Sequence, residues 1–302
     1  MTLAVTGGTG FVGQAVLDLA GTQNLALKAL TRRVQKNRAC VTWVRGDLGT
    51  ADALADMVSD TQAVVHIAGV VNALDAAGFY EGNVAGTEAV VSAARKAGVK
   101  RFIHVSSLAA REPGLSDYGH SKRLAEEVVQ TSGLDWTIVR PPAVYGPRDT
   151  EILELFKTAR WGFLPMPPAG RASIIHVDDL ARLLLTLATN GADSLARIYE
   201  PDDGRQGGWS HSELAHAIGR AVGKRVWSPN VPRFILLGAA QIDRAVRGKK
   251  AKLTPDRAQY MAHPDWVSAP DQAVPKGLWQ AEIETELGLG ETAGWYRRND
   301  WL

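Results

Sequence analysis

The stretch Leu3-Ala4-Val5-Thr6-Gly7-Gly8-Thr9-Gly10-Phe11-Val12-Gly13 decides how this chain is read. Leu3 to Thr6 is a short apolar run of strand character, and helical periodicity begins at Val12. Gly7 and Gly10 stand between them and Gly13 just inside the helix, each three residues from the next. In such a strand–turn–helix unit one glycine permits a tight turn and a second lets the backbone approach a pyrophosphate. The third lets the helix pack close to the sheet. The helix N-terminus then offers N–H groups and a positive dipole end to phosphate oxygens. Thr9, Phe11 and Val12 lie on the same turn and join the glycines as expected cofactor contacts. A glycine-rich turn without a ligand has the same composition. The position between a strand and a helix, at the head of an alternating chain, favours dinucleotide binding.

Outward from that turn, short apolar runs alternate with helical patterns. Strands are expected at Leu3–Thr6, Ala26–Thr31, Thr42–Arg45, Ala63–His66, Arg101–Val105 and Trp136–Arg140. Helices are expected at Val12–Ala20, Ala51–Val58, Val84–Ala97 and Gly119–Thr131. This is the texture of βαβ units around a parallel sheet buried on both faces. After Arg140 the rhythm breaks at Pro141, Pro142, Gly146 and Pro147, and again at Pro165, Pro167 and Pro168. Ile174–Val177 then reads as a strand, Asp178–Ala188 as a helix, and Ser210 with Glu213 as a capping box. The fold class is therefore expected to be α/β, a Rossmann doubly wound parallel sheet with a smaller, interleaved C-terminal substrate lobe. Residues 1–147 and 172–199 are assigned to the dinucleotide-binding lobe, and 148–171 and 200–302 to the substrate lobe.

Bulk properties bound the function. The 302 residues carry a net charge of +2, which gives no electrostatic case for nucleic acid. The nine tryptophans are scattered, without a basic aromatic stripe. Cys40 is the single cysteine, which excludes an intramolecular disulfide and fits a reducing cytoplasm. The seven histidines show no metal-ligand spacing, so no metal is expected, and His104 and His176 read as packed strand residues. No secretory-signal pattern opens the chain, and no apolar run is long enough to span a membrane. A cytoplasmic protein is expected, with attachment to a membrane surface as the alternative.

The second strand ends Leu30-Thr31-Arg32-Arg33, where a site that prefers NAD usually has an acid for the ribose 2′-hydroxyl. Guanidinium groups suit a 2′-phosphate, so NADP(H) is the preferred cofactor and NAD(H) the alternative. Asp47 and Leu48 are placed at the adenine, the carboxylate on the exocyclic amine and the leucine on the ring.

Tyr118-Gly119-His120-Ser121-Lys122 sets a tyrosine and a lysine four residues apart, on one helix face. A tyrosine alone has a pKa near 10, and a neighbouring ammonium lowers it toward a useful range. Ser107, at the end of the fifth strand, is placed to hydrogen-bond a substrate oxygen, since ligands of open α/β sheets bind at strand C-termini. Alone, Tyr-x-x-x-Lys is a surface pair. After a glycine loop and a Ser at a strand end, it is far more specific.

By these motifs taken together, the chain resembles the extended short-chain dehydrogenase/reductase family over nearly its whole length. The likeness also rests on His66-Ile67-Ala68-Gly69, Asn83-Val84-Ala85-Gly86-Thr87, Val105-Ser106-Ser107, Arg140-Pro141-Pro142-Ala143-Val144-Tyr145-Gly146-Pro147, Ile175-His176-Val177-Asp178-Asp179-Leu180 and the Trp295–Leu302 ending. The resemblance implies hydride transfer, with Tyr118 exchanging a proton with the substrate oxygen, Ser107 orienting that oxygen, and Lys122 tuning Tyr118 and gripping the ribose. It also places Ala68, Gly69, Asn83, Ser106, Pro141 and Val144 at the cofactor, and leaves the hard chemistry to that cofactor.

Sugar-nucleotide members carry an arginine just before the Ile-His-Val strand. Here that slot holds Ala172, with Arg171 one residue away, and a one-residue shift points to the other strand face. The stretch Arg148–Ala169, with Trp161, Phe163 and Met166, resembles the branch of dihydroflavonol reductases, hydroxysteroid dehydrogenases and bacterial ceramide-type ketone reductases. Those apolar residues are read first as core and second as a pocket lining. The expected activity is reduction of a hydrophobic ketone, or oxidation of the alcohol, with a lipid such as an oxo-sphingolipid as candidate. The alternatives are an NDP-sugar epimerase or dehydratase with recycled NAD, and a non-catalytic NAD(P)-binding regulator or complex subunit. A homodimer through Val84–Ala97 and Gly119–Thr131 is a family-level expectation. The apolar stretch Pro232–Val246, amid Arg233, Arg244, Arg247, Lys249, Lys250 and Lys252, reads first as a packed helix with a solvated basic end. Its second reading is an amphipathic segment on an anionic membrane.

Overall fold

Seven parallel strands lie side by side in the order β10-β6-β5-β4-β1-β2-β3, with elements numbered along the chain. They are β1 (Thr2–Thr6), β2 (Ala26–Thr31), β3 (Val41–Arg45), β4 (Ala63–His66), β5 (Arg101–Val105), β6 (Asp135–Val139) and β10 (Arg197–Tyr199). The computed structural model describes residues 1–190, 192–248, 251 and 253–302. Lys249, Lys250 and Lys252 lie outside the described residues.

The sheet is held by apolar strands buried on both faces. Every residue of β4 is buried, as are Leu3 to Thr6 and Phe102 to Val105. Between the strands run α1 (Phe11–Thr22), α2 (Ala51–Val58), α3 (Ala76–Phe79), α4 (Gly86–Lys96), α5 (Asp117–Gln130) and α7 (Val177–Asn190). Leu54, Met57 and Val58 of α2, Val90, Val91 and Ala94 of α4, and Val129 of α5 share one core with Ala4, Val64, Phe102 and Ile138 of the sheet. The strand order reverses at β1, which pairs with β2 on one side and β4 on the other. Outside the C-terminal ends of such strands, doubly wound sheets bind their ligands.

The expected helix over Val84–Ala97 is in fact the end of a longer helical run. A π-helical turn, Tyr80–Ala85, joins α3 to α4. Its i→i+5 bonding breaks the 3.6-residue period on which the sequence reading relies.

Contacts divide the chain into two compact units. One comprises Met1–Pro141, Asp178–Glu200 and Val274–Gln280, the other Pro142–Val177, Pro201–Ala273 and Ala281–Leu302. Residues 142–147 and 172–177, assigned from sequence to the cofactor lobe, fall in the second unit. The reason is pairing: β7 (Ala143–Tyr145) and β9 (Ile174–His176) bond to each other in a two-stranded sheet of their own. The second unit adds α6 (Leu153–Ala159), β8 (Arg171–Ala172), β11 (Trp209–Ser210), α8 (His211–Ala221), α9 (Arg233–Arg247), α10 (Pro255–Met261), β12 (Asp265–Trp266) and α11 (Thr285–Arg298). The expected capping box opens α8, with both the Ser210 and the Glu213 bonds formed. The core of this unit gathers Leu153, Phe156, Leu164, Met166, Ile218 and Tyr296. The stretch from Arg148 to Ala169 is thus partly core, as read, but Trp161 and Phe163 stay exposed.

Candidate active site

The glycine turn after β1 is built by close backbone approach. Gly7 has φ +74°, and its carbonyl accepts from Gly10 N at 2.9 Å. A Cβ on Gly13 would stand 2.0 Å from that carbonyl oxygen, and a Cβ on Gly7 would stand 2.7 Å from the nitrogen of Ala68. The turn therefore closes against the loop after β4, at the strand-order reversal. Gly10 caps α1 with no side-chain bond to the first-turn N–H groups. Those groups are left for an external acceptor, and the cradle has no Cβ to block it. This fits a dinucleotide pyrophosphate.

A buried hydrogen-bonded chain ties the β4 loop to the π-helical turn. Ala68 N donates to Thr6 Oγ1 at 3.2 Å, and Thr6 Oγ1 lies 2.6 Å from His66 Nδ1. His66 Nε2 lies 3.0 Å from Thr87 Oγ1, which donates to the Asn83 carbonyl at 2.6 Å. Because the Thr87 proton goes to Asn83, Thr87 must accept from His66 Nε2–H. Nδ1 then accepts from Thr6, so one neutral tautomer satisfies every member. Complete burial pushes the His66 imidazole down to about 3, which keeps it neutral. The Asn83 side chain clasps Val70, accepting from its nitrogen at 2.7 Å and donating to its oxygen at 2.9 Å, and also donates to Ser121 Oγ on α5. Gly69 sits between: a Cβ there would be 3.1 Å from Asn83 Oδ1 and 3.6 Å from Lys122 Nζ.

Tyr118 and Lys122 share α5, one turn apart. Ser116 caps the helix by accepting from Gly119 N at 3.0 Å. Gly119 lets the helix press onto the turn after β5, for a Cβ there would be 2.6 Å from the Ala109 carbonyl. That turn begins at Ser107, whose Oγ accepts from Ala109 N at 3.2 Å, and Leu108 N is anchored to the Pro141 carbonyl at 3.2 Å. Ser107, Tyr118 and Pro141 thus converge on one loop-and-helix junction. Tyr118 is half-buried, its ring 5.9 Å from that of Phe79. Lys122 is buried and donates to the Val105 carbonyl at 2.8 Å. Burial lowers its pKa to about 8, against the opposing pull of Glu126.

Behind the site runs a buried ion network. Ser106 Oγ donates to Glu126, which takes both Nε (2.8 Å) and Nη2 (2.7 Å) of Arg140. Arg140 Nη1 is 3.4 Å from Glu200, which also pairs with Arg111 at 3.3 Å. Ser106, expected at the cofactor, therefore directs its hydroxyl to this network.

At the other end of the site, Arg32 and Arg33 are exposed beyond β2. Thr31 Oγ1 bonds the Arg33 backbone and folds the turn that carries them. Asp47 is exposed, its carboxylate held below its usual range by the Thr50 hydroxyl, the Gly49 N–H and the charge of Arg32. Leu48 is half-buried against Gly86 of α4, where a Cβ would be 2.6 Å from its Cδ1. Val144 belongs to the second unit, in β7, in register with Ile175.

A family model described as NAD(P)H-binding matches residues 7–191. The ceramide reductase of Caulobacter vibrioides is 34% identical, over 99% of this chain and 96% of that protein. This chain belongs to the extended short-chain dehydrogenase/reductase family. Members of that family are NAD(P)-dependent enzymes, and so is this one. Its fold recurs in the crystal structure of gox2253 (TM-score 0.80, 22% identity, 100% and 99% of the two chains). It recurs also in MoeE5 in complex with UDP-glucose and NAD (TM-score 0.74, 20% identity, 99% of each).

In this NAD(P)-dependent chain the candidate groups Ser107, Tyr118 and Lys122 rest on supports that the sequence did not single out. Thr6, His66 and Thr87 hold the loops in place, Val70 fixes Asn83, Gly119 admits α5, and Glu126 faces Lys122 and Arg140. A signal for one of them was present: Asn83 and Thr87 stand four apart, so a helix would align the Thr87 hydroxyl with the Asn83 carbonyl.

Proposed function

We propose that this enzyme reduces a hydrophobic ketone, of the oxo-sphingolipid or ceramide type, to its alcohol, with NADPH as the preferred cofactor. One observation carries the reading most: Lys122 is buried beside Gly69, one helical turn from Tyr118 at the junction that also holds Ser107. Gly7, Gly10 and Gly13 would hold the pyrophosphate, and Lys122 with Asn83 would line the nicotinamide ribose end. Bound NADPH supplies the hydride. The Ser107 hydroxyl orients the substrate carbonyl, and the Tyr118 phenol gives its proton to the carbonyl oxygen. The Lys122 ammonium stabilises the phenolate left behind and so eases that transfer.

The exposed Arg32 and Arg33 suit a 2′-phosphate. The likeness to a ceramide reductase along the full chain supports the lipid class. Arg171 counts against a nucleotide sugar, because its guanidinium is already bonded to the Gly207 and Gly208 carbonyls and paired with Glu213. A lipid ketone resides in a bilayer, and the enzyme would meet it at a membrane surface.

The test is NADPH consumption by the purified protein against apolar ketones, including a 3-oxo-ceramide. Tyr118→Phe is expected to lower kcat by about 10² to 10⁴ while NADPH still binds. Arg32→Ala or Arg33→Ala is expected to erase the preference for NADPH over NADH. Copurified NAD, together with interconversion of UDP-sugars and no ketone reduction, would move the chain to the epimerases.

A further inference from the structure

Helix α9 presents an apolar face that its own unit does not cover. Of its 15 residues only Ala240 is buried. Phe234, Gly238 and Ile242 follow at helical spacing, flanked by Ile235, Ala245 and Val246, and all six are exposed. Phe234 is 75% and Val246 78% accessible. No charged residue interrupts this arc, whereas Leu236, Leu237 and Ala240 take the inward side. The segment leading into the helix adds aromatic surface. Trp227 and Phe163 pack ring to ring at 5.5 Å, where residues 162–166 bond to 227–231, and both remain exposed.

The charge of the sequence that carries this helix is one-sided. From Lys224 to Leu253 the chain holds eight basic residues and a single acid, Asp243, although the whole protein carries only +2. Arg233 opens α9, and Arg244 and Arg247 stand in its last turn. At about 100° per residue all three fall on the side of α9 away from the apolar arc, so they act on an anionic surface through their field and not by contact at the arc's edge. A second copy of this chain is the poorer occupant. A two-fold contact sets the same patch against itself, and here that would bring two strongly basic segments together.

We infer that α9 docks on an anionic phospholipid bilayer, with the arc through Phe234, Gly238 and Ile242 entering the interface and the net positive charge of the segment drawing it to the lipid phosphates. The inference gives the membrane encounter suggested by a lipid substrate a definite surface. It is nevertheless tested without turnover, and so stands or falls apart from the reductase reading.

The experiment is flotation of the full chain with vesicles of phosphatidylcholine, alone or mixed with phosphatidylglycerol, at low and high salt. The protein is expected to float with the anionic vesicles at low salt and to be released at high salt. Arg244→Ala should weaken partitioning about fivefold. Ile242→Asp, an exposed substitution, should abolish flotation while NADPH titration and circular dichroism stay unchanged. Three results would overturn the inference: no flotation with anionic vesicles at low salt, equal flotation of wild type and Ile242→Asp, or a lipid-free dimer that Ile242→Asp dissociates.

Discussion

Helices α5 and α9 are almost the same length, 14 and 15 residues, and solve opposite problems. Helix α5 buries Gly119, Ser121, Lys122, Ala125, Glu126 and Val129, so that half of what it hides is polar or charged. Helix α9 buries one alanine and exposes phenylalanine, isoleucine and valine. In α5 the burial of charge is tolerable because each group has a fixed partner: Lys122 the Val105 carbonyl, Glu126 the Arg140 guanidinium. In α9 the apolar residues lack any such account within the unit that carries them. A helix whose costly groups are all satisfied internally serves the site. One whose apolar groups are left outside is shaped for something beyond the chain.

Substitutions can break this contrast. The largest effect is expected on α5 from Glu126→Ala, which strips buried Arg140 of its two-pronged partner. It should cost about 3–5 kcal/mol of stability in urea unfolding. Next is the pH response of Lys122, held near 8 when folded against 10.5 ordinarily. Between those values the unfolded chain keeps the proton that the folded chain has lost, so this group makes stability rise with pH across the window. The gain is about 3 kcal/mol. Lys122→Met should lack that rise when the two proteins are unfolded below pH 8 and near pH 10.5. A smaller loss, about 1 kcal/mol, is expected from Ser116→Ala, which removes the cap of α5. The smallest belongs to α9, where Phe234→Ser should shift the unfolding midpoint by no more than about 0.5 kcal/mol. A large destabilisation there would show the face to be packed and end the contrast.

The same division explains what could be read from sequence. The strands β1, β2, β4 and β5 were legible because buried parallel strands are nearly unbroken apolar runs. The glycine turn and the Tyr118–Lys122 pair were legible because local spacing alone sets their geometry. What escaped was everything that depends on a partner distant along the chain. Nothing in the sequence sets Glu126 apart from its neighbour Glu127, and only Arg140 and Ser106 make it a buried ion. His66 showed no role until Thr6 and Thr87 closed on its two nitrogens. β10 escaped too, a strand of three residues recognisable only by its register with Thr137–Val139. In α9 the periodicity was plain, but periodicity does not say which face looks outward.

The π-helical turn at Tyr80–Ala85 has a consequence for how such chains change by insertion and deletion. A π turn holds one residue more than the α turn it replaces, so loss of a single codon there would restore regular pitch without disturbing α4 beyond it. The residues before the lost position would rotate by roughly 100° about the axis. Loss just after Asn83 would carry its amide away from Val70 and from Ser121 at once. A one-residue gap in this turn would therefore mark, in any chain that carries it, a cofactor loop that has lost its clasp while the fold around it survives.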